Sequence, residues 1–330
     1  MSETKSILLE TCDAIPAAYR LPTARPSLDE AREHCARLAK QHYENFHVMS
    51  GLLPKAVRPH FSSVYAYCRI SDDLGDEMGD RVLALQLLDE WGQLLDECYA
   101  APQRSRHPVY VALAETIAKC KLPKQLFADL LTAFRMDQSK VRHADWNSLL
   151  EYSHFSANPV GRLVLGINNI HDEETARFSD EICTGLQIAN FCQDVVRDFA
   201  IGRIYIPQDA MRQHGIDDAK LAQMITARKG TPEFRAMMQQ LVARVRTMLA
   251  EGEGIVGRVA TVHKNGELAA VLGLFVAGGM AVLDAIEAQG YDVLRKRPVV
   301  GKVKKLQLLS AAMTRLTLAR AGKLFSGRSA

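Results

Sequence analysis

Asp72-Asp73-Leu74-Gly75-Asp76 and Asp194-Val195-Val196-Arg197-Asp198 decide how this chain is read. Apolar residues flank both: Val64-Tyr65-Ala66-Tyr67-Cys68 before the first, and Ile188-Ala189, Phe191-Cys192 and Val195-Val196 around the second. In a helix, residues four apart share a face, so each stretch sets two carboxylates side by side. Asn190, one turn before Asp194, extends the second pair into a polar column. Carboxylates this close repel one another unless a cation lies between them. Oxygen donors without His or Cys suit Mg²⁺, which keeps part of its shell for water and substrate phosphates. Two such helices facing each other would hold a diphosphate through bridging cations. A solvated acidic face is the plain alternative. Carboxylates on otherwise apolar helices are costly without a partner, and the arrangement occurs twice, which favours the metal reading.

Helical periodicity continues outward from both stretches. It predicts helices near 28–44, 55–74, 173–200, 231–262, 266–289 and 301–320, among others, with no alternating strand pattern. Ser27-Leu28-Asp29-Glu30 is a capping-box pattern opening the first long helix. The expected organisation is an irregular N-terminal arm over 1–26, a single all-α domain over 27–321 and a frayed tail over 322–330.

Composition excludes several classes. A net charge of +3 on 330 residues gives no case for nucleic acid. The seven cysteines (12, 35, 68, 98, 120, 183, 192) contain no CxxC pair and read as reduced thiols of a cytoplasmic protein. The N-terminal MSETKSILLETCDAIP lacks the apolar core of a secretory leader. The longest uncharged run, Leu268 to Leu283, has 16 residues, short of the roughly 20 that span a bilayer. Its Gly273, Gly278 and Gly279 imply close packing or room for a ligand chain. None of the ten histidines has metal-ligand spacing, and no GxGxxG dinucleotide fingerprint occurs.

From about His42 to Lys305 the chain resembles the squalene/phytoene synthase family of head-to-head prenyl transferases. Three blocks carry the resemblance: Tyr65-Ala66-Tyr67-Cys68-Arg69 leading into the first acidic stretch, Tyr152 to Gly161 (YSHFSANPVG), and Gln187 to Pro207 (QIANFCQDVVRDFAIGRIYIP). The resemblance implies a class I isoprenoid synthase fold, all-α, with Mg²⁺-diphosphate between two acidic helices at the mouth of a deep apolar pocket. It implies Asp72, Asp76, Asp194 and Asp198 as metal ligands, with Asp73 a lesser one, and Asn190 and Gln187 at the metal–substrate site. Arg69, Arg203, Tyr205 and Arg297 are expected at the diphosphate, and Tyr152 beside the reacting carbons. Ser156, Ala157 and Gly161 would leave space for a prenyl chain. Beside these stand plainer readings: Arg69 as an i,i+3 ion pair, Tyr152 as a core tyrosine, and Arg295-Lys296-Arg297 with Lys302, Lys304 and Lys305 as a solvated face or a membrane-surface patch.

Three departures point within the family. The chain has His42-Tyr43-Glu44-Asn45-Phe46 before the first core helix, Asn158-Pro159 in the second block, and Gln193 where many relatives carry Arg. Fewer cations weaken a second diphosphate subsite, which a condensing enzyme needs. The wording around Asn45, Phe46 and Asn158 resembles the bacterial hydroxysqualene synthase branch (HpnC type) of hopanoid biosynthesis. There presqualene diphosphate ionises, rearranges and is captured by water, without NADPH. Asn158, Gln193 or His154 would position that water. Presqualene diphosphate, squalene or phytoene synthesis is the alternative, and a non-catalytic lipid-binding subunit a minor one. The resemblance also implies presqualene diphosphate synthase and a flavin-dependent squalene reductase as pathway neighbours, and peripheral contact with the inner face of the cytoplasmic membrane.

Overall fold

The computed structural model describes residues 8–42, 54–139 and 142–326. Among them all long elements are α-helices, and Arg142 with Ile204 forms an isolated bridge outside any strand. The all-α expectation holds. Two compact units emerge: Met1–Ser139 with Arg162–His171, and Lys140–Gly161 with Asp172–Ala330.

In the first unit the Arg58–Asp76 helix packs against Leu28–His42, Arg81–Ala100, Pro108–Cys120 and Lys124–Asp137. The expected capping box is present, with the Ser27 amide and hydroxyl donating to Glu30 and the Glu30 amide donating to Ser27 Oγ. Tyr67, Trp91, Tyr110 and Phe127 form a fully buried aromatic core. Their polar tips are satisfied: Tyr67 donates to the Phe127 carbonyl and the Trp91 indole donates to Ser71 Oγ, both at 2.9 Å. A buried aromatic carrying a polar group is stable only when that group is paired. This anchors the helix whose last turn bears Asp72, Asp73 and Asp76.

The arm expected to be irregular is mostly non-helical, with single turns at Leu8–Thr11 and Ala17–Tyr19, yet it belongs to this core. Leu9, Ile15, Tyr19 and Leu21 are buried, and the Leu8 and Leu9 amides both donate to Glu90 at 2.9 Å.

The second unit is built on the 28-residue helix Glu173–Ala200, which packs against Pro232–Gly252, Gly254–Thr261, Gly266–Ala288 and Trp146–Ser156. The helix expected over 231–262 breaks at Glu253, between Gly252 and Gly254. A side chain at either glycine would collide with Phe178, and at Gly252 also with Ile182. Short helices Gln208–Gln213 and Asp218–Thr226 lie where none was expected. Gly266–Ala288 runs 23 residues, longer than its uncharged core, and is long and apolar enough to cross a membrane. Length therefore excludes nothing. Leu268 through Gly273 and Val276, Leu283 and Ile286 are buried, as in a core helix. Its Gly279 gives close packing, because a Cβ there would lie 2.7 Å from Leu186 and 2.9 Å from Leu249, whereas Gly278 opens onto unfilled space. The C-terminal helix Lys302–Ser326 continues past the expected tail boundary at 322. All seven cysteines are free thiols.

Candidate active site

The first acidic turn is divided by burial. Asp73 is 2% exposed and receives both Arg69 (Nε at 2.9 Å and Nη2) and the Tyr19 hydroxyl. Asp72 is half-exposed and Asp76 exposed, one helical turn apart. Arg69 also reaches Asp72 at 3.5 Å and Glu77 at 3.1 Å, so the i,i+3 pair read from sequence is one strand of a three-carboxylate bridge. Burial acts to lower the Arg69 pKa, and Asp73 with Asp72 raises it above its usual value. Tyr19, buried against Asp73, has its phenol pKa pushed up by that burial and by Asp73's charge. Asp73 thus ties the N-terminal segment to the acidic helix. Asp72 and Asp76 remain the outward pair.

The second acidic stretch is not a regular helix. Asp194 has φ −104° and ψ 16°, a break within the last two turns of Glu173–Ala200, with no proline or glycine between Phe191 and Arg197. At this point Arg297 grips Asp194 bidentately, Nε at 2.5 Å and Nη2 at 2.8 Å, and Nη2 also donates to Gln193 Oε1 at 2.9 Å. Gln193, buried, donates in turn to the Pro298 carbonyl at 2.5 Å. Asp198, one turn on, has a buried Oδ2 with no hydrogen-bond partner. Burial, then the Asp194 charge, pushes Asp198 up to about 7 against the pull of Arg203 and Arg197. Asn190 is exposed and Gln187 half-buried.

The helix leaves this site through Gly202, whose φ of +80° is easy for glycine. The Arg203 amide then returns to the Asp198 carbonyl at 2.8 Å. That turn brings Tyr205 under the helix, stacked on Phe191 with ring centres 3.7 Å apart. Tyr152 lies 5.8 Å from Tyr205 and 6.2 Å from Phe191. His143, which the sequence reading assigned no chemistry, completes the nest 5.3 Å from Tyr152 and 5.7 Å from Tyr205. Its Nδ1 donates to the Ser148 carbonyl at 3.2 Å. The spacing of His143 to Tyr152 and Tyr205 carried no signal that would have found it.

Asn45 and Phe46 lie outside the described residues. Asn158 Oδ1 accepts from Thr184 at 2.8 Å. His154 is exposed beside Phe155. Gly161, expected to leave space for a chain, is filled instead: a Cβ there would sit 2.3 Å from Ser179 Oγ and 2.5 Å from Cys183 Sγ.

Among the described residues no three His, Cys, Asp or Glu side chains gather round one point. Each pair nevertheless fits a hard divalent cation. Its donors are oxygen only, and Asp198 carries a buried oxygen without a partner beside a second carboxylate. Mg²⁺ is commonly held by one or two carboxylates with phosphate oxygens and water completing the shell.

Comparisons with known proteins identify the family of the chain. The family model described as squalene/phytoene synthase matches residues 39–304. The crystal structure of squalene synthase HpnC from Alicyclobacillus acidocaldarius is 41% identical, with TM-score 0.72 over 84% of this chain and 97% of that one. A hydroxysqualene synthase of Rhodopseudomonas palustris is 33% identical over 222 residues, 66% of this chain and 71% of the relative. Phytoene synthase 1 of Zea mays is 28% identical over 306 residues, 91% of this chain and 72% of the relative. The fold is that of the class I isoprenoid synthases, generally divalent-metal dependent.

Proposed function

The chain belongs to the squalene/phytoene synthase family, and from that premise we propose that it converts presqualene diphosphate and water into hydroxysqualene and diphosphate. The carbon–oxygen bond to diphosphate breaks with its electron pair leaving on diphosphate. The cyclopropylcarbinyl cation rearranges, and water adds at the cationic carbon and releases a proton.

Asp72 and Asp76 from one acidic helix and Asp194 and Asp198 from the other would hold Mg²⁺. When bound, Mg²⁺ supplies Lewis-acid stabilisation of the departing diphosphate, a contribution of the kind that dominates such reactions. Arg69, Arg203 and Arg297 offset the remaining anionic charge. In this role Arg297 exchanges its carboxylate partner, Asp194, for diphosphate oxygens. The Tyr152 ring, with Phe191 and Tyr205, offers aromatic faces to the cation and excludes water until rearrangement is complete.

One observation carries the choice of reaction. Gln193 stands directly before Asp194, and both ends of its neutral amide are engaged, by Arg297 and by the Pro298 carbonyl. The position adds no charge for a second diphosphate, and those same bonds take Gln193 out of the set expected to position water. The condensing reading is favoured instead by the extent of the match to a phytoene synthase, 91% of this chain. Purified protein with Mg²⁺ is incubated separately with farnesyl diphosphate and with presqualene diphosphate in H₂¹⁸O. Labelled hydroxysqualene from the second, unaffected by NADPH, supports hydrolytic capture. Efficient C30 diphosphate or hydrocarbon formation from the first establishes condensation.

A further inference from the structure

Charge is unevenly distributed along this chain. Beyond Asp292 there are ten Lys and Arg and no Asp or Glu, whereas residues 1–292 carry 31 Lys and Arg against 38 Asp and Glu. The +3 total hides a basic end on an acidic body.

The C-terminal helix shows what that end presents. One face is conventional: Ala312 and Leu316 are buried, Arg320 donates to Glu267, and Ala319 packs over Gly266. The opposite face is exposed and uncharged, its large apolar side chains interleaved with Gln307, Ser310, Thr314 and Thr317. Val303 is 72% exposed, Leu306 69% and Leu318 67%, with Met313 and the preceding Val299 also exposed. At 100° per residue the four helical side chains fall within an arc of about 140°, turned away from Ala312 and Leu316. Five of the nine large apolar side chains exposed among the described residues lie between 299 and 318. Lys302 and Lys304 stand at the two edges of that arc, with Lys305, Arg295 and Lys296 exposed at the same end.

We propose that this face of Lys302–Ser326 is a docking surface for an anionic lipid bilayer. Valine and leucine side chains enter the headgroup boundary while flanking lysines extend to lipid phosphates, the arrangement of an interfacial amphipathic helix. A second copy of the chain fits poorly. The face offers no carboxylate to pair with a copy's lysines, and like charges in a contact are repulsive. The surface stands on its own residues. Its purpose rests on the proposed substrate, whose hydrocarbon chain partitions into bilayers.

The test is sedimentation of the full-length protein, without substrate, with vesicles of phosphatidylcholine alone or of phosphatidylcholine and phosphatidylglycerol in equal parts. Binding to the mixed vesicles only is expected, weakening as salt rises. Replacing Lys302, Lys304 and Lys305 together by Glu lowers partitioning by roughly 10²-fold or more. Val303→Ser with Leu306→Ser weakens it with the charge intact, whereas Val262→Ser, exposed elsewhere, leaves it unchanged. Diphosphate release from detergent-dispersed substrate stays at the parental rate in all these variants, so loss of docking and failure of the enzymatic reading are separately visible. Binding that survives the triple replacement overturns the proposal. So does absence of vesicle binding together with binding to poly-glutamate, which assigns the face to an acidic protein, or a solution dimer abolished by the Val303 and Leu306 replacements.

Discussion

The two acidic helices have nearly the same sequence spacing and opposite electrostatics. In Arg58–Asp76 the compensating cation, Arg69, is local, three to eight residues from the carboxylates it bridges. In Glu173–Ala200 the hydrogen-bonded partner of Asp194 is Arg297, 103 residues away, with only a looser 3.6 Å ion pair from Arg197 of its own helix, and Asp198 is left with a buried unpaired oxygen. A cluster neutralised from its own helix is a stable platform. One neutralised by a distant segment can be opened when that segment finds a different anion. The same aspartate spacing can thus mark one site that is built and one that is switchable, and the difference lies in where the counter-charge comes from.

The largest test of this contrast removes the Mg²⁺ that each cluster is proposed to hold. With excess EDTA, diphosphate release falls to background and returns with Mg²⁺, and full turnover in EDTA would sink the metal assignment. Next come single carboxylates. Asp76→Asn and Asp194→Asn each lower kcat by ~10² or more, as for loss of a strong transition-state stabiliser. They part in stability. Asp76→Asn leaves urea unfolding unchanged, whereas Asp194→Asn releases Arg297 and lowers unfolding free energy by about 1–3 kcal/mol, the size of a hydrogen-bonded charge pair. Equal stability effects would break the comparison.

Asp73→Asn is expected to do the reverse of Asp76→Asn. It weakens the Tyr19 and Arg69 contacts of a buried carboxylate, costs about 2 kcal/mol in urea unfolding, and changes kcat little. A ~10² loss of kcat at normal stability would instead make Asp73 a ligand. A smaller effect follows from Gln193→Ala, which removes the brace on Arg297. KM for the diphosphate substrate should change roughly tenfold, one hydrogen bond to a charged group, with kcat preserved. Steady-state kinetics read the split.

The smallest expected effect comes from a fully compensated acid in the second unit. Burial tends to raise the Asp172 pKa, but hydrogen bonds from Thr175 and Arg258, with the Arg258 charge, bring it down to about 2. A folded-state pKa below the unfolded value of about 3.9 stabilises the protein above that value. The contribution is lost as pH falls from about 4 towards 2. Urea midpoints of Asp172→Asn should therefore lack part of the parental decline in that window, and a parallel decline would remove Asp172 from the account.

Helix positions were legible because their causes are local. Apolar residues recur every three to four positions, Ser27 and Glu30 form a cap within one turn, and glycine at 202 ends a helix by its own backbone freedom. Gln208–Gln213 and Asp218–Thr226 were missed because six and nine residues are too short for periodicity to register. The family-derived residues Arg203, Tyr205, Tyr152 and Arg297 do gather round the second acidic stretch. Which of them touch was not legible.

By itself the sequence determined an all-α chain with two acidic helices, a capped first core helix and a basic C-terminal end, since composition and short-range spacing specify these directly. Tertiary structure alone decided the rest: the burial of Asp73 under Tyr19, the break at Asp194, the Arg297–Gln193–Pro298 clamp, His143 beside Tyr152, and the exposed uncharged face of the last helix. The reason is physical. Burial or a counter-charge supplied from 54 to 105 residues away is a property of packing, and packing leaves no periodic trace in the residues it brings together.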